Sequence, residues 1–466
     1  MKNIQKAIRF MKKNGISNMI PAAMERLLQQ KNETYQFHLP EESVLERQRQ
    51  TIFKKNKLIS IVVPAYETHP DYLRMLVDSV LAQTYPVWEL IIADAGSTSK
   101  VSDVIQEYKD ERIRYIGLDQ NLGISGNTNQ AIDFVKGEYT GLLDHDDVLT
   151  PDALFEVMQC IDQHEAVLVY SDEDKTDETG TLFYEPHKKM DFNLDLFLSN
   201  NYICHFTVIK SEVIKKMLLR PEYDGAQDYD LFLRIVAYIM DQTSEKGSSQ
   251  ANRLKEKICH IPKILYHWRC HSGSTAENPD SKQYAYDAGK AALEAFLENR
   301  NWKGVVEHTQ HLGFYRIRYT DLFRQRPEVA LAGGNGYFHG RVRFGAMNED
   351  GSVLFESLPR KFSGTMHRAV LQQQVDALDV RNMISCEDDR VRALVSEAQS
   401  KLEYVLKNDV RDRAAGDKAA GDINARTQRY KKSDEVLIRQ ISLDLCRQIR
   451  QMGYVIIYDP IYHTGR

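Results

Sequence analysis

Three carboxylates stand within four residues in Asp144-His145-Asp146-Asp147, directly after the apolar run 139–143. Like charges this close repel unless a cation sits among them. Hard oxygen donors on a loop suit Mg²⁺ or Mn²⁺, which keep part of their water and bridge phosphate oxygens, a pairing fitted to a nucleotide diphosphate. The same residues also fit a solvated acidic turn before a helix, with Thr150-Pro151-Asp152 as cap and first turn. A further carboxylate, Asp228, opens the helical pattern 228–240, where a general base and an ordinary N-cap are both consistent with its position.

These groups need strands to deliver them. Leu58-Ile59-Ser60-Ile61-Val62-Val63-Pro64 is a nearly continuous β-branched run, the pattern of a strand buried on both faces of a parallel sheet. Leu73, Leu76, Val77, Val80 and Leu81 then recur at helical spacing, and Trp88-Glu89-Leu90-Ile91-Ile92-Ala93-Asp94 reads as a second strand. The alternation continues with a helix over 101–108, a strand over 113–117, a helix over 126–135 and a strand over 139–143, which predicts an α/β, doubly wound, mostly parallel sheet. Ligands of such sheets bind beyond the carboxyl ends of the strands. Ala65-Tyr66-Glu67, Asp94-Ala95-Gly96-Ser97 and the acidic run 144–147 all fall there. A polar connection is expected over 171–185, then an apolar segment over 193–208 interrupted by Asn200 and Asn201, and a further strand over 264–268.

Composition limits the rest. A chain of 466 residues expects two or three domains, and 42% hydrophobic with 27% charged residues is ordinary for a globular protein. Net charge is −5, from 61 basic and 66 acidic residues, so nucleic acid is not an expected partner. The six cysteines show no metal-ligand spacing, and reduced thiols are expected. With no signal peptide and no run of ~18 apolar residues, a cytoplasmic location is expected. Residues 1–50 read as a helical segment, with Ile4, Ile8, Met11, Met19, Met24, Leu27 and Leu28 at roughly helical intervals; a surface helix and a peripheral membrane contact both fit.

Six motifs in one order and spacing go further: the strand 59–64, Asp94-Ala95-Gly96-Ser97, Leu122-Gly123-Ile124-Ser125-Gly126-Asn127-Thr128-Asn129, Asp144-His145-Asp146-Asp147, Gly225-Ala226-Gln227-Asp228-Tyr229-Asp230, and Tyr266-His267-Trp268-Arg269. Over about residues 58–275 the chain resembles family 2 glycosyltransferases, and in particular bacterial enzymes of cell-surface polysaccharide and rhamnan-type synthesis. The resemblance implies a GT-A fold over 51–320, a nucleotide-diphosphate sugar donor, and inverting transfer to a glycan or lipid-linked glycan. It implies that Pro64, Tyr66 and Glu67 face the nucleotide, Asp94 accepts from base or ribose, and Asn127 lies on the donor. Asp144 would contact ribose or metal, Asp146 would hold Mg²⁺ or Mn²⁺ on the diphosphate, and Asp147 would support that site. Asp228 would be the general base, Arg269 would offset diphosphate charge, and His267 would reach back to the metal, with His271 competing for that role. Ala95 departs from the family, which commonly has a second acidic residue there, and Asn127 and Asn129 stand where an arginine is usual, so the base is left open.

The remainder, 321–466, is expected to be a smaller α+β accessory region, with a charged helix or linker over 401–434. Leu443-Asp444-Leu445-Cys446-Arg447 leading into Tyr454-Val455-Ile456-Ile457-Tyr458 parallels Tyr229-Asp230-Leu231-Phe232-Leu233-Arg234 leading into Ile264-Leu265-Tyr266-His267, as a truncated internal repeat or by chance; aligned so, Ser442 stands where Asp228 does. Phe338, Phe344, Phe355 and Phe362 are expected to pack rather than to line a sugar platform. Two other functions compete with glycosyl transfer: nucleotidyl transfer, whose Gly-rich basic phosphate loop is replaced here by Ala65-Tyr66-Glu67, and a non-catalytic polysaccharide-assembly scaffold, against which Asp144, Asp146 and Asp228 argue.

Overall fold

The computed structural model describes residues 21, 23–25, 35–242, 250–271, 283–416 and 432–462. The chain forms two compact units, one of residues 33–193 and 200–300, the other of residues 1–32, 194–199 and 301–466.

The first unit is built on a nine-stranded sheet. Its strands are β1 (Ile59–Ala65), β2 (Trp88–Asp94), β3 (Ile113–Gly117), β4 (Tyr139–Leu142), β5 (Val148–Leu149), β6 (Leu168–Thr176), β7 (Phe183–His187), β8 (Thr207–Lys210) and β9 (Ile258–Arg269). They lie in the order β3-β2-β1-β4-β8-β6-β9-β5, with β7 against β6. Strands β1, β2, β3, β4, β6 and β9 run one way and β5, β7 and β8 the other, so the expected mostly parallel α/β sheet is present.

Strand β1 is apolar throughout because both its faces are covered. Ile59, Ile61, Val63 and Ala65 pack with Leu73, Leu76, Val77 and Val80 of the helix Pro70–Leu81 and with Leu154, Val157 and Met158 of the helix Ala153–Gln163. On the other face Val62 joins Ile91, Ala93, Ala131 and Val135. Each such side chain contributes about 1.5–3 kcal/mol when taken out of water, which locks the strand register. That register sets Ala65 beside Asp94, so the loops after β1 and β2 leave the sheet side by side.

The segment 171–185, expected as a polar connection, is instead mostly strand: β6 runs through Ser171-Asp172-Glu173-Asp174 and β7 pairs back on it. Alternating polarity is absent because three consecutive carboxylates are all buried, each against a histidine. The strand predicted over 264–268 is longer, Ile258–Arg269, and the helix at Asp228 is Gln227–Asp241. Near the amino terminus a helix runs over Glu42–Arg49; Ile4, Ile8, Met11, Met19, Leu27 and Leu28 lie outside the described residues.

The second unit carries a four-stranded sheet in the order Gln373–Gln374, Val455–Tyr458, Val329–Gly333, Met383–Ser385, in which only the central pair is parallel. The helices Asp389–Gly416 and Lys432–Gln451 supply Val391, Val395, Ile438, Leu445 and Ile449 to its core. Residues 417–431 of the charged stretch lie outside the described residues. The hairpin Gly304–His308 with Tyr315–Tyr319, expected within 51–320, groups with this unit. Phe355 packs at its core and its ring lies 5.7 Å from that of Tyr458. Ser442 is buried, its hydroxyl donating to Ile438 O at 2.8 Å and accepting from Val380 N at 3.1 Å, which is structural work.

Candidate active site

The parallel strands end together, and their polar loops gather at that edge. Asp94, buried at the end of β2, accepts from Gly96 N at 2.8 Å and from Tyr115 Oη at 3.1 Å. Glu67 spans to the neighbouring loop: Oε1 accepts from Ser97 N at 3.0 Å, and Oε2 from Thr98 Oγ1 at 3.0 Å and Lys100 Nζ at 3.2 Å. These donors, the Ser97 N–H first, hold its carboxyl down at about 2. Pro64 is the penultimate residue of β1, and Tyr66, just past its end, is 53% exposed.

Asn127 does not present its amide as the resemblance implies. Its Oδ1 accepts from Leu122 N and its Nδ2 donates to Asn121 Oδ1, each at 2.9 Å, so both ends are spent on holding the turn at the start of the helix Gly123–Ile132.

The acidic run separates into three roles. Asp147 is fully buried and accepts from Tyr266 Oη and, at 2.7 Å, from Arg269 N. Burial pushes its carboxyl well above the ordinary range, with Asp146 and Asp144 adding to the push. Asp146 faces His271, whose Nε2 lies 2.9 Å from its Oδ2. Asp144 has a side chain 48% exposed and lies 3.9 Å from His205 Nε2. The surrounding protein raises its carboxyl; His205 and His145 oppose this, and Asp146 and Asp228 add to it. With its side chain half open to water, Asp144 owes its raised carboxyl chiefly to the neighbouring carboxylates.

His267 turns one ring nitrogen to a buried carboxylate. Its Nδ1 lies 2.5 Å from Asp174 Oδ1, and its ring packs 4.5 Å from Phe37 and 4.3 Å from Phe183. Asp174 in turn accepts from Tyr35 Oη at 2.6 Å. Asp174 thus engages Nδ1 of the buried His267 ring, while His271 is the imidazole whose Nε2 lies beside Asp146.

Arg269 is fully buried, with its guanidinium lying 4.8 Å from the Tyr72 ring centroid. Nε donates to Asp146 O at 2.6 Å and Nη1 to Glu178 O at 2.9 Å, so it braces the backbone of the acidic loop. Nη2 is buried without a partner among the described residues, which leaves one cationic N–H pair for an anion.

Sequence reasoning missed His205 and Glu173. His205 stacks on Tyr266 at 4.8 Å, and Glu173 Oε2 accepts from its backbone N at 2.7 Å and lies 3.0 Å from its Nδ1. Burial works against its charge, yet the Cys204 thiol and Glu173 raise His205 well above the imidazole range. Burial likewise opposes ionisation of Glu173, and Lys189, His187 and His205 hold it well below the carboxylate range. The available signal was the three consecutive acidic residues Asp172-Glu173-Asp174, one serine after the apolar Leu168-Val169-Tyr170, a strand continuing into charge.

Asp228 sits at the head of its helix, Oδ1 accepting from Tyr229 N at 2.8 Å and Oδ2 from Asn201 Nδ2 at 2.9 Å. Among the described residues no three carboxylate, imidazole or thiolate groups converge to hold a metal by themselves. The donor set of Asp144 and Asp146, two hard carboxylates on one loop, instead fits a cation that completes its shell from phosphate oxygens and water. All six cysteines are free thiols. Among the described residues no helix is long and apolar enough to cross a membrane.

Residues 60–218 match the family described as glycosyl transferase family 2. The protein y4gI of Sinorhizobium fredii is 40% identical over 253 residues, covering 53% of this chain and 26% of that protein. The O-antigen biosynthesis protein RfbC of Myxococcus xanthus is 32% identical over 59% of this chain and 20% of its own length, so the match spans about a quarter or less of both relatives. WcaA of Escherichia coli K12, named for colanic acid biosynthesis glycosyl transfer, is 33% identical over 39% of this chain and 67% of its own length. These matches make the chain a member of glycosyltransferase family 2.

Proposed function

We propose that this chain is a metal-dependent, inverting glycosyltransferase that moves a sugar from a nucleotide-diphosphate donor to a hydroxyl of a glycan or lipid-linked glycan during cell-surface polysaccharide synthesis. The observation that carries the reading is the acidic run that follows β4, where Asp146 lies 2.9 Å from His271 Nε2 and Asp144 3.9 Å from His205 Nε2, with Asp228 at the head of its own helix as the candidate base. Names of relatives, among them O-antigen and colanic acid biosynthesis, support a polysaccharide product.

On this reading Pro64, Tyr66, Glu67 and Asp94 border the nucleoside, and Asp144 and Asp146 are the residues that would hold Mg²⁺ or Mn²⁺, with His271 beside Asp146. The metal supplies Lewis-acid stabilisation of the leaving diphosphate. Nη2 of Arg269 adds a fixed cationic donor to that side. Asp228 takes the proton of the acceptor hydroxyl as its oxygen bonds to the anomeric carbon, and the electron pair of the breaking C–O bond leaves with the diphosphate.

The test is release of nucleotide diphosphate from a panel of nucleotide sugars with and without Mn²⁺, using Asp146→Ala and Asp228→Asn as controls. Metal-dependent release from one donor that is lost in both variants is the expected result. Release that is indifferent to both substitutions sinks the assignment.

A further inference from the structure

Asn200 and Asn201 interrupt an apolar segment, and the donor and metal sites account for neither. Asn201 donates Nδ2 to Asp228 Oδ2 at 2.9 Å across 27 residues of sequence. Its Oδ1 is buried without a partner among the described residues. The opposite amide orientation would set Oδ1 against a carboxylate oxygen, two acceptors with no proton between them. The amide is thus oriented by Asp228, and it accepts an orphaned oxygen, a cost to the fold, to stay so. Such a group is retained for what it does to its one partner.

The effect on Asp228 is geometric. Its other recorded hydrogen bond is from the adjacent Tyr229 N to Oδ1 at 2.8 Å, a bond within the first helical turn. One donor on each oxygen fixes the carboxylate plane; with the Tyr229 bond alone the group pivots about that contact. We propose that Asn201 is a positioning residue for proton removal from the acceptor hydroxyl, acting through Asp228. This rests on Asp228 being the base, as argued above.

Asn201→Leu keeps the side-chain volume and removes the donor, and Asn201→Ala removes both. In the full chain with Mn²⁺, donor and acceptor, each variant lowers kcat by ~10- to 100-fold, the scale of a misplaced catalytic group. The donor KM and the affinity for nucleotide diphosphate stay within about two-fold, because Asn201 acts through Asp228 and not on the donor. The melting temperature of Asn201→Leu does not fall, since the orphaned oxygen goes with the amide. Unchanged kcat in Asn201→Leu, with Asp228→Asn inactive, overturns this inference alone. A parallel fall of kcat, diphosphate affinity and melting temperature makes Asn201 a purely structural residue and also overturns it. Full activity in Asp228→Asn removes the base assignment, and this inference falls with it.

Discussion

The imidazole of His271 places Nε2 2.9 Å from Asp146 Oδ2, while His267, four residues earlier at the end of the same strand, places Nδ1 2.5 Å from the buried Asp174. The two histidines therefore answer to different tests. Outer partners of a metal carboxylate typically change metal affinity by about 10- to 100-fold when removed. His271→Ala is expected to raise the Mn²⁺ concentration for half-activation by roughly that factor with little change in melting temperature. His267→Ala opens a hole between Phe37 and Phe183 and strands a carboxylate, so it is expected to lower stability by about 2–4 kcal/mol and leave the Mn²⁺ midpoint of the folded fraction unchanged. Metal titration of activity beside denaturant unfolding separates the two, and the reverse assignment would return His267 to the metal.

Tyr266 Oη and Arg269 N are the donors recorded on Asp147, and all of this lies in the interior. Removing one hydroxyl leaves a buried carboxyl with an unmet bond. Tyr266→Phe is expected to cost about 1–3 kcal/mol in urea unfolding, the penalty for an orphaned buried partner. A change under about 0.5 kcal/mol would show that Asp147 finds another donor.

Much of this was legible in the sequence because the parallel half of the sheet follows strong rules. Strands β1 and β2 are buried on both faces and so are continuous apolar runs, and their ends predict that the loops carrying Glu67 and Asp94 lie side by side. What failed to show was anything decided by a partner distant in sequence. Strand β6 looked like a loop because Asp172, Glu173 and Asp174 break the expected pattern, and only β9 and the segment at His205 explain them: His260 pairs with Asp172 at 2.8 Å and His205 with Glu173 at 3.0 Å. Asn127 carries a family role by position, yet Leu122 and Asn121 occupy its amide, and the partner of His267 Nδ1 is Asp174, 93 residues away in sequence. Residue type marks which groups can do chemistry; only packing says which remain free to do it.

Glu67 gives a pH signature. Its folded value of about 2 lies below that of an unfolded glutamate, roughly 4.3, so its contribution to the loop is fully present above the unfolded value and is lost as pH falls towards 2. Carboxyl carbon NMR is expected to show Glu67 titrating near 2, with the Ser97 amide shift following the same curve. Glu67→Gln abolishes that coupled step and weakens nucleotide binding if the loop faces the nucleoside. A midpoint near 4 would mean the bridge to Ser97, Thr98 and Lys100 does not hold in solution.

Arg269→Lys tests whether the guanidinium is needed for its shape or only for its charge. The buried fork supplies Nε to Asp146 O, Nη1 to Glu178 O and a planar face to Tyr72, with Nη2 left over. A lysine keeps the positive charge but has a single ammonium, which cannot reach carbonyls on two segments and also present a free donor. The acidic loop would lose its brace, and Asp146 would shift with its own carbonyl. Arg269→Lys is expected to lower kcat with the preferred donor by ~100-fold, a loss of about 2.7 kcal/mol in transition-state stabilisation. It is also expected to destabilise the fold by about 1–3 kcal/mol through the unpaired carbonyls. Wild-type activity in the lysine variant, measured at saturating Mn²⁺, would reduce Arg269 to a point charge and leave the positioning of Asp146 to His271.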